Sequence, residues 1–71
     1  MRDLTDKPLT LRQREILDLA SLGKTNSEIA TILGVSESTV RDAIVSCERK
    51  FGVDSKLVLI AKYLAPGRFR R

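Results

Sequence analysis

An all-α fold of four helices is predicted by three features of this 71-residue chain. Apolar residues recur at steps of three and four. Thr10 with Gln13, and Thr25 with Glu28, have the Thr-x-x-Gln/Glu spacing that caps a helix start, and a glycine follows each of the first three apolar stretches. Strand signals are weak, because the β-branched residues lack alternating spacing and no Asn-Gly or Asp-Gly hairpin turn occurs. At 42% hydrophobic and 31% charged, so short a chain can form only one domain with a single modest core.

The elements follow in order. Met1 to Pro8 mixes charges with Thr, lacks period and reads as a flexible arm over residues 1–8. Behind the Thr10–Gln13 capping box, Leu11, Ile16, Leu17, Leu19, Ala20 and Leu22 recur at helical spacing until Gly23, which predicts a first helix over 11–22. Thr25 caps a short second helix, 27–33, with Ile29, Ala30, Ile32 and Leu33 apolar and Gly34 suited to a left-handed end. Ser36 is the N-cap of a third helix, 37–51, with Glu37 in its first turn, where a negative charge suits the helix dipole. Its apolar set Val40, Ile44, Cys47 and Phe51 steps by four, three and four. Gly52 stops it, Asp54 is the expected cap of the fourth helix, 55–64, and Pro66 and Gly67 end regular structure. Residues 66–71 form a basic tail.

Composition excludes several functions. The chain contains no His and one cysteine, Cys47, which removes imidazole acid–base chemistry, Cys/His catalysis, a disulfide framework and a zinc site of the usual ligand count. No phosphate-binding loop is present either, so no enzyme, metal or cofactor is expected. A lone thiol suits a reducing compartment, and no apolar run approaches a signal peptide or a spanning helix; a cytoplasmic protein without membrane contact is expected. Net charge is +4, and residues 36–71 hold all of the excess, with eight Lys/Arg against four Asp/Glu, whereas residues 1–35 balance at five each. The second half should face a polyanion if there is one; the alternative is a solubilising surface.

Only Gly34, Val35 and Ser36 separate the second and third helices, so the two must cross steeply, in the geometry of a helix-turn-helix. Ala30 is small where the helices approach, Gly34 takes the turn, and Ile29, Leu33, Val35, Val40 and Ile44 supply the core between them. A plain helical interaction bundle is the competing reading. With Val40, Ile44, Cys47 and Phe51 inward, Ser38, Arg41, Asp42, Val45 and Arg49 form the outer stripe of the third helix. Arg41 lies near the helix start, where a recognition helix meets base edges, and its guanidinium can reach guanine O6 and N7; the plain alternative is a surface ion pair. Asp42 could accept from cytosine N4, restrain Arg41 or repel phosphate, and Val45 offers apolar contact to a thymine methyl. Thr25, Asn26 and Ser27 open the second helix, where free N–H groups and the dipole favour phosphate, although Thr25 is a cap first. Ser36, Ser38 and Thr39 could donate hydroxyls to phosphates, and Lys24, Arg49, Lys50 and Lys56 could supply charge. The fourth helix is apolar on two sides, Leu59 and Tyr63 on one, Leu57, Ile60, Ala61 and Leu64 on the other. A core and a partner are indicated, hence a dimer through Leu57, Ala61 and Leu64, unless both sides pack within the monomer.

Leu9-Thr10-x-Arg12-x-Arg14-Glu15-Ile16-Leu17, Gly23-Lys24-Thr25-Asn26-Ser27-Glu28-Ile29-Ala30, Leu33-Gly34-Val35-Ser36, Ser38-Thr39-Val40-Arg41 and Lys50-Phe51-Gly52-Val53-x-Ser55-Lys56 strongly resemble the LuxR/FixJ/GerE-type helix-turn-helix domain. The resemblance runs without a gap from about residue 8 to residue 65, and the domain is assigned 9–65. It implies a DNA-binding transcriptional regulator whose third helix enters the major groove of double-stranded DNA and whose last helix pairs across a homodimer. It also implies that Arg41 contacts bases and Thr39 a phosphate. Ala43 and Val45 depart from the His, and the Lys, Arg or Asn, common in the family; Ala43 removes a polar group at the edge of the core, and Val45 with Asp42 leaves the stripe less positive. Cys47 stands where an aliphatic core residue is usual and reads as a small buried hydrophobe rather than a redox sensor.

A twofold dimer would set two recognition helices about 34 Å apart and select an inverted repeat. RNA polymerase or a full-length family member are further partners such a regulator would meet. Family members often carry a receiver or ligand-binding domain before this one, for which this chain has no room; a freestanding regulator and an excised domain both fit. A different class of function is an antagonist that pairs through the fourth helix with a full-length relative and forms dimers unable to hold DNA, which the weakened stripe at Asp42 and Val45 motivates.

Overall fold

The computed structural model describes residues 9–64. It contains four helices: α1 (Leu11–Ser21), α2 (Asn26–Leu33), α3 (Glu37–Phe51) and α4 (Lys56–Leu64). The expected arm 1–8 and tail 66–71 lie outside the described residues, as does residue 65.

Local chemistry sets the helix bounds. Thr10 and Thr25 each form a complete capping box: the Gln13 N–H donates to Thr10 Oγ1 and the Thr10 N–H to Gln13 Oε1, and Glu28 and Thr25 repeat the exchange. Since Thr25 is the cap, α2 begins at Asn26, one residue before the expected start. The first three helices end in the same paired bonds. In α2 the Val35 N–H donates to the Ala30 carbonyl (3.0 Å) and the Gly34 N–H to that of Thr31 (3.4 Å); in α3 Val53 donates to Glu48 (2.9 Å) and Gly52 to Arg49 (3.2 Å). This arrangement needs a left-handed residue at its turn. Gly34 (φ 72°) and Gly52 (φ 70°) supply it, and a Cβ at either would meet nothing within 4 Å, so backbone conformation rather than crowding selects glycine. In α1 the same closure, with Leu22 as the cap, ends the helix at Ser21, not Leu22.

The start of α4 differs from expectation. The Leu59 N–H donates to the Ser55 carbonyl (2.9 Å), so Ser55, not Asp54, is the flanking residue and α4 starts at Lys56. Asp54 had the right side chain one position too early.

One core joins all four helices: Ile16, Leu17 and Ala20 from α1, Ile29 and Ala30 from α2, Val40, Ile44 and Cys47 from α3, and Leu59 from α4. Leu9, Leu33, Val35, Ala43, Phe51, Val53, Ile60 and Tyr63 pack around it, half-buried. The turn residues Leu33 and Val35 thus form the expected wedge between α2 and α3, and Ala30 is buried where they cross. Three apolar positions counted toward the inner faces are instead exposed: Leu11, Leu22 and Ile32. Leu11 is the first residue of its helix and Leu22 the cap of the same helix, outside the turns that reach the core. Ile32 follows Ile29 by three but, with Ala30 already inward, falls beyond the edge of a narrow buried stripe. Ile60, expected on the partner side of α4, packs against the core. Among the described residues, no helix is long and apolar enough to cross a membrane.

Candidate nucleic-acid interface

Burying Val40, Ile44 and Cys47 turns the opposite side of α3 outward, and Ser38, Arg41, Asp42, Val45 and Arg49 are all exposed there. Val45, at 39% exposed, is the apolar member of that stripe. The structure therefore brings together the five residues expected to meet a partner. Among the described residues no ion pair engages Arg41 or Asp42, so Asp42 does not restrain the guanidinium beside it. Arg49 and Lys50 occupy the last turn of α3, where positive charge complements the C-terminal end of the dipole, so both have a structural use as well.

The start of α3 is a hydroxyl cluster. Ser36 Oγ accepts from the Thr39 N–H (3.1 Å) and lies 2.9 Å from Thr39 Oγ1 and 3.2 Å from Ser38 Oγ. A hydroxyl has two acceptor positions and one proton. With one position already taken by the amide, Ser36 can accept from only one neighbour and must donate to the other. Either Ser38 or Thr39 therefore keeps a hydroxyl proton for an outside acceptor, in a turn whose N–H groups and dipole favour an anion.

At the start of α2, Thr25 Oγ1 is occupied as a cap by the Glu28 N–H, as expected. The Thr25 N–H, with smaller help from Lys24, holds the Glu28 carboxyl below its ordinary range, so the box keeps a charged acceptor at neutral pH. Asn26 Oδ1 accepts from Lys56 Nζ at 3.0 Å, a bond from α4 back to α2. Lys50 Nζ donates to Gln13 Oε1 at 2.9 Å, tying the end of α3 to the capping box of α1. A third tie runs from the Tyr63 hydroxyl to Asp18 Oδ1. The sequence indicated Lys50 and Lys56 only as charges for phosphate, and all three ties were missed. Their partners are 37, 30 and 45 residues away, and no local spacing signals such a pair.

On α4, Leu57, Val58, Ala61 and Leu64 are exposed, Leu57 at 79%. The expected face Leu57, Ala61 and Leu64 is not folded into the monomer, and Val58 extends it. Cys47 is fully buried, and burial raises its thiol pKa, which makes it a poor nucleophile.

The pattern of GerE, bacterial regulatory proteins of the luxR family, matches residues 7–63 of this chain. The chain belongs to the LuxR family. It is similar to the spore germination protein GerE of Bacillus subtilis (strain 168), with 37% identity over 67 residues, covering 93% of this chain and 90% of that protein. It is 42% identical over 65 residues to the transcriptional activator protein AhyR of Aeromonas hydrophila, covering 92% of this chain and 25% of AhyR. It is 43% identical over 56 residues to the uncharacterized transcriptional regulatory protein YvfU of Bacillus subtilis (strain 168), covering 79% of this chain and 27% of YvfU. The chain thus spans most of GerE but about a quarter of AhyR and YvfU. Membership makes this LuxR-family domain a DNA-binding transcriptional regulator, and α2 and α3 are its helix-turn-helix.

Proposed function

We propose that this LuxR-family domain, residues 9–65, binds an inverted-repeat duplex as a homodimer, with α3 of each copy in the major groove. The observation that carries the reading is the outward stripe of α3, with the Arg41 guanidinium engaged by no ion pair among the described residues. A guanidinium so placed can take guanine O6 and N7 together. Beside it on the stripe, Asp42 accepts from a cytosine amine and Val45 packs on a thymine methyl. Thr25 and Asn26 at the start of α2, Ser38 and Thr39 at the start of α3, and Arg49, Lys50 and Lys56 face phosphates and fix the register. Leu57, Ala61 and Leu64 pair with their copies about a twofold axis, so the recognition helices lie about 34 Å apart.

The test is selection of duplexes from a random pool by the purified chain at two salt concentrations. An inverted repeat should be enriched, with affinity falling steeply as salt rises. Arg41→Ala should relax the sequence at one position per half-site, a loss of about 1–3 kcal/mol of discrimination. Absence of enrichment, or binding indifferent to Arg41→Ala, overturns the reading. Tighter binding to a full-length family member than to any duplex would instead make the chain an antagonist that works through α4.

A further inference from the structure

The bond between Lys56 and Asn26 has a consequence for which side chain touches DNA. A carboxamide has an acceptor end and a donor end, and an ammonium only donates. The atom of Asn26 that faces Lys56 Nζ at 3.0 Å must therefore be Oδ1, and the orientation of the amide is settled by its partner's chemistry. Nδ2, with its two N–H groups, has no acceptor among the described residues. Asn26 is the first residue of α2 and Lys56 the first residue of α4, so one bond joins the starts of two helices 30 residues apart in the chain. It is part-buried, which holds it better than a bond between two fully solvated side chains.

We propose that Lys56 acts on DNA binding through Asn26: it is a positioning residue that holds the amide so that Nδ2 donates to a backbone phosphate. The proposal rests on the DNA-binding reading above and narrows it, since Lys56 then serves as orienter rather than as an independent charge on the phosphate. An amide without this partner could present either end, and its oxygen would repel a phosphate. The contact is sequence-independent and belongs to the positioning class. It also makes the seat of α4 part of the DNA face, because loss of the bond alters the donor at the start of α2.

The test is a double-mutant cycle on the full chain, with a mixed-sequence duplex as probe, so that no operator is needed. Asn26→Ala should weaken binding about tenfold, the scale of one hydrogen bond to a charged acceptor. Lys56→Met should do nearly the same, but in the Asn26→Ala background it should add less than about twofold, because its effect passes through the missing amide. Lys56→Arg, which still donates to Oδ1, should restore affinity to within about twofold. Far-UV circular dichroism checks that each variant is folded; should Lys56→Met unfold, Lys56→Ala, which also lacks a donor, takes its place in the cycle. Equal losses from the Lys56 change with and without Asn26, amounting to about a hundredfold in the double variant, would mean that Lys56 acts as a charge alone and would overturn the proposal. Wild-type protein that fails to bind the duplex even at low salt would overturn the DNA-binding reading and this proposal together, whereas wild-type binding with an additive cycle overturns only the proposal.

Discussion

The α2–α3 unit and α4 are held in place by different kinds of contact. From Thr25 to Ser36, the chain is shaped by bonds between near neighbours: the Thr25–Glu28 capping box, the left-handed Gly34 with its paired carbonyls, and the Ser36 cap on the Thr39 N–H. In α4 the first bond comes from the Ser55 carbonyl, and what seats the helix is remote: Leu59 in the common core, Lys56 on Asn26, and Tyr63 on Asp18. A unit with such local bonds has its ends and its turn set by its own residues. A helix seated by distant contacts depends on the rest of the domain, and in this chain that helix also offers the exposed apolar face. The helix-turn-helix and the exposed apolar face of α4 thus rest on supports of unequal kind.

The largest effect is expected from Leu59→Ala. Leu59 is fully buried among residues of the other three helices, so truncation should cost about 2–5 kcal/mol. A core this small rarely supplies more than about 3–5 kcal/mol in all. The variant should therefore be largely unfolded in far-UV circular dichroism at room temperature, α2 and α3 included. Retention of the wild-type melting curve would mean that α4 is an appendage and that the core belongs to three helices.

Gly34→Ala probes the local side. The position has φ 72° and open space around it, so the cost should be the left-handed penalty of about 1–2 kcal/mol and nothing from crowding. Urea unfolding should show a lower midpoint at unchanged slope. No measurable change would indicate that the α2–α3 turn relaxes to another backbone conformation, and the locally fixed crossing would then lose its support.

The two regions also differ in how far they could be read from the sequence. Four helices, the capping boxes, the glycine stops and the inward set Val40, Ile44 and Cys47 were legible because each depends on residues within one or two turns of one another. The outer stripe Ser38, Arg41, Asp42, Val45 and Arg49 followed by subtraction from that inward set. Pairing across the fold was not legible. Lys50 and Lys56 look like any surface lysine until Gln13 and Asn26 are brought beside them. Leu11, Leu22 and Ile32 failed for a related reason, since periodicity says which residues share a face but not how far along or around the helix the neighbours reach. Asp54 and Ser55 are both good caps in adjacent positions, and only the register of the Leu59–Ser55 bond decides between them.

The smallest effect lies at the tip of α4. The Tyr63 hydroxyl donates to Asp18, and its pKa is pushed up to about 12 from the ordinary 10.0, first by burial and then by that bond to a carboxylate. Because the folded value lies above the unfolded one, the contribution is fully present below about pH 10 and is lost as pH rises through about 12. Tyr63→Phe keeps the ring and removes the hydroxyl. At neutral pH it should cost under about 1 kcal/mol, since the bond lies at the surface. The sharper readout is alkaline. Burial also raises the Cys47 pKa, so wild type and variant alike lose stability as that thiol ionises, but only wild type carries the tyrosine component. The difference in melting temperature between the two should shrink as pH rises from 10 to 12. If it stays constant across that range, Tyr63 titrates as it would in the unfolded chain, and α4 is seated by Leu59 and Lys56 without a third tie.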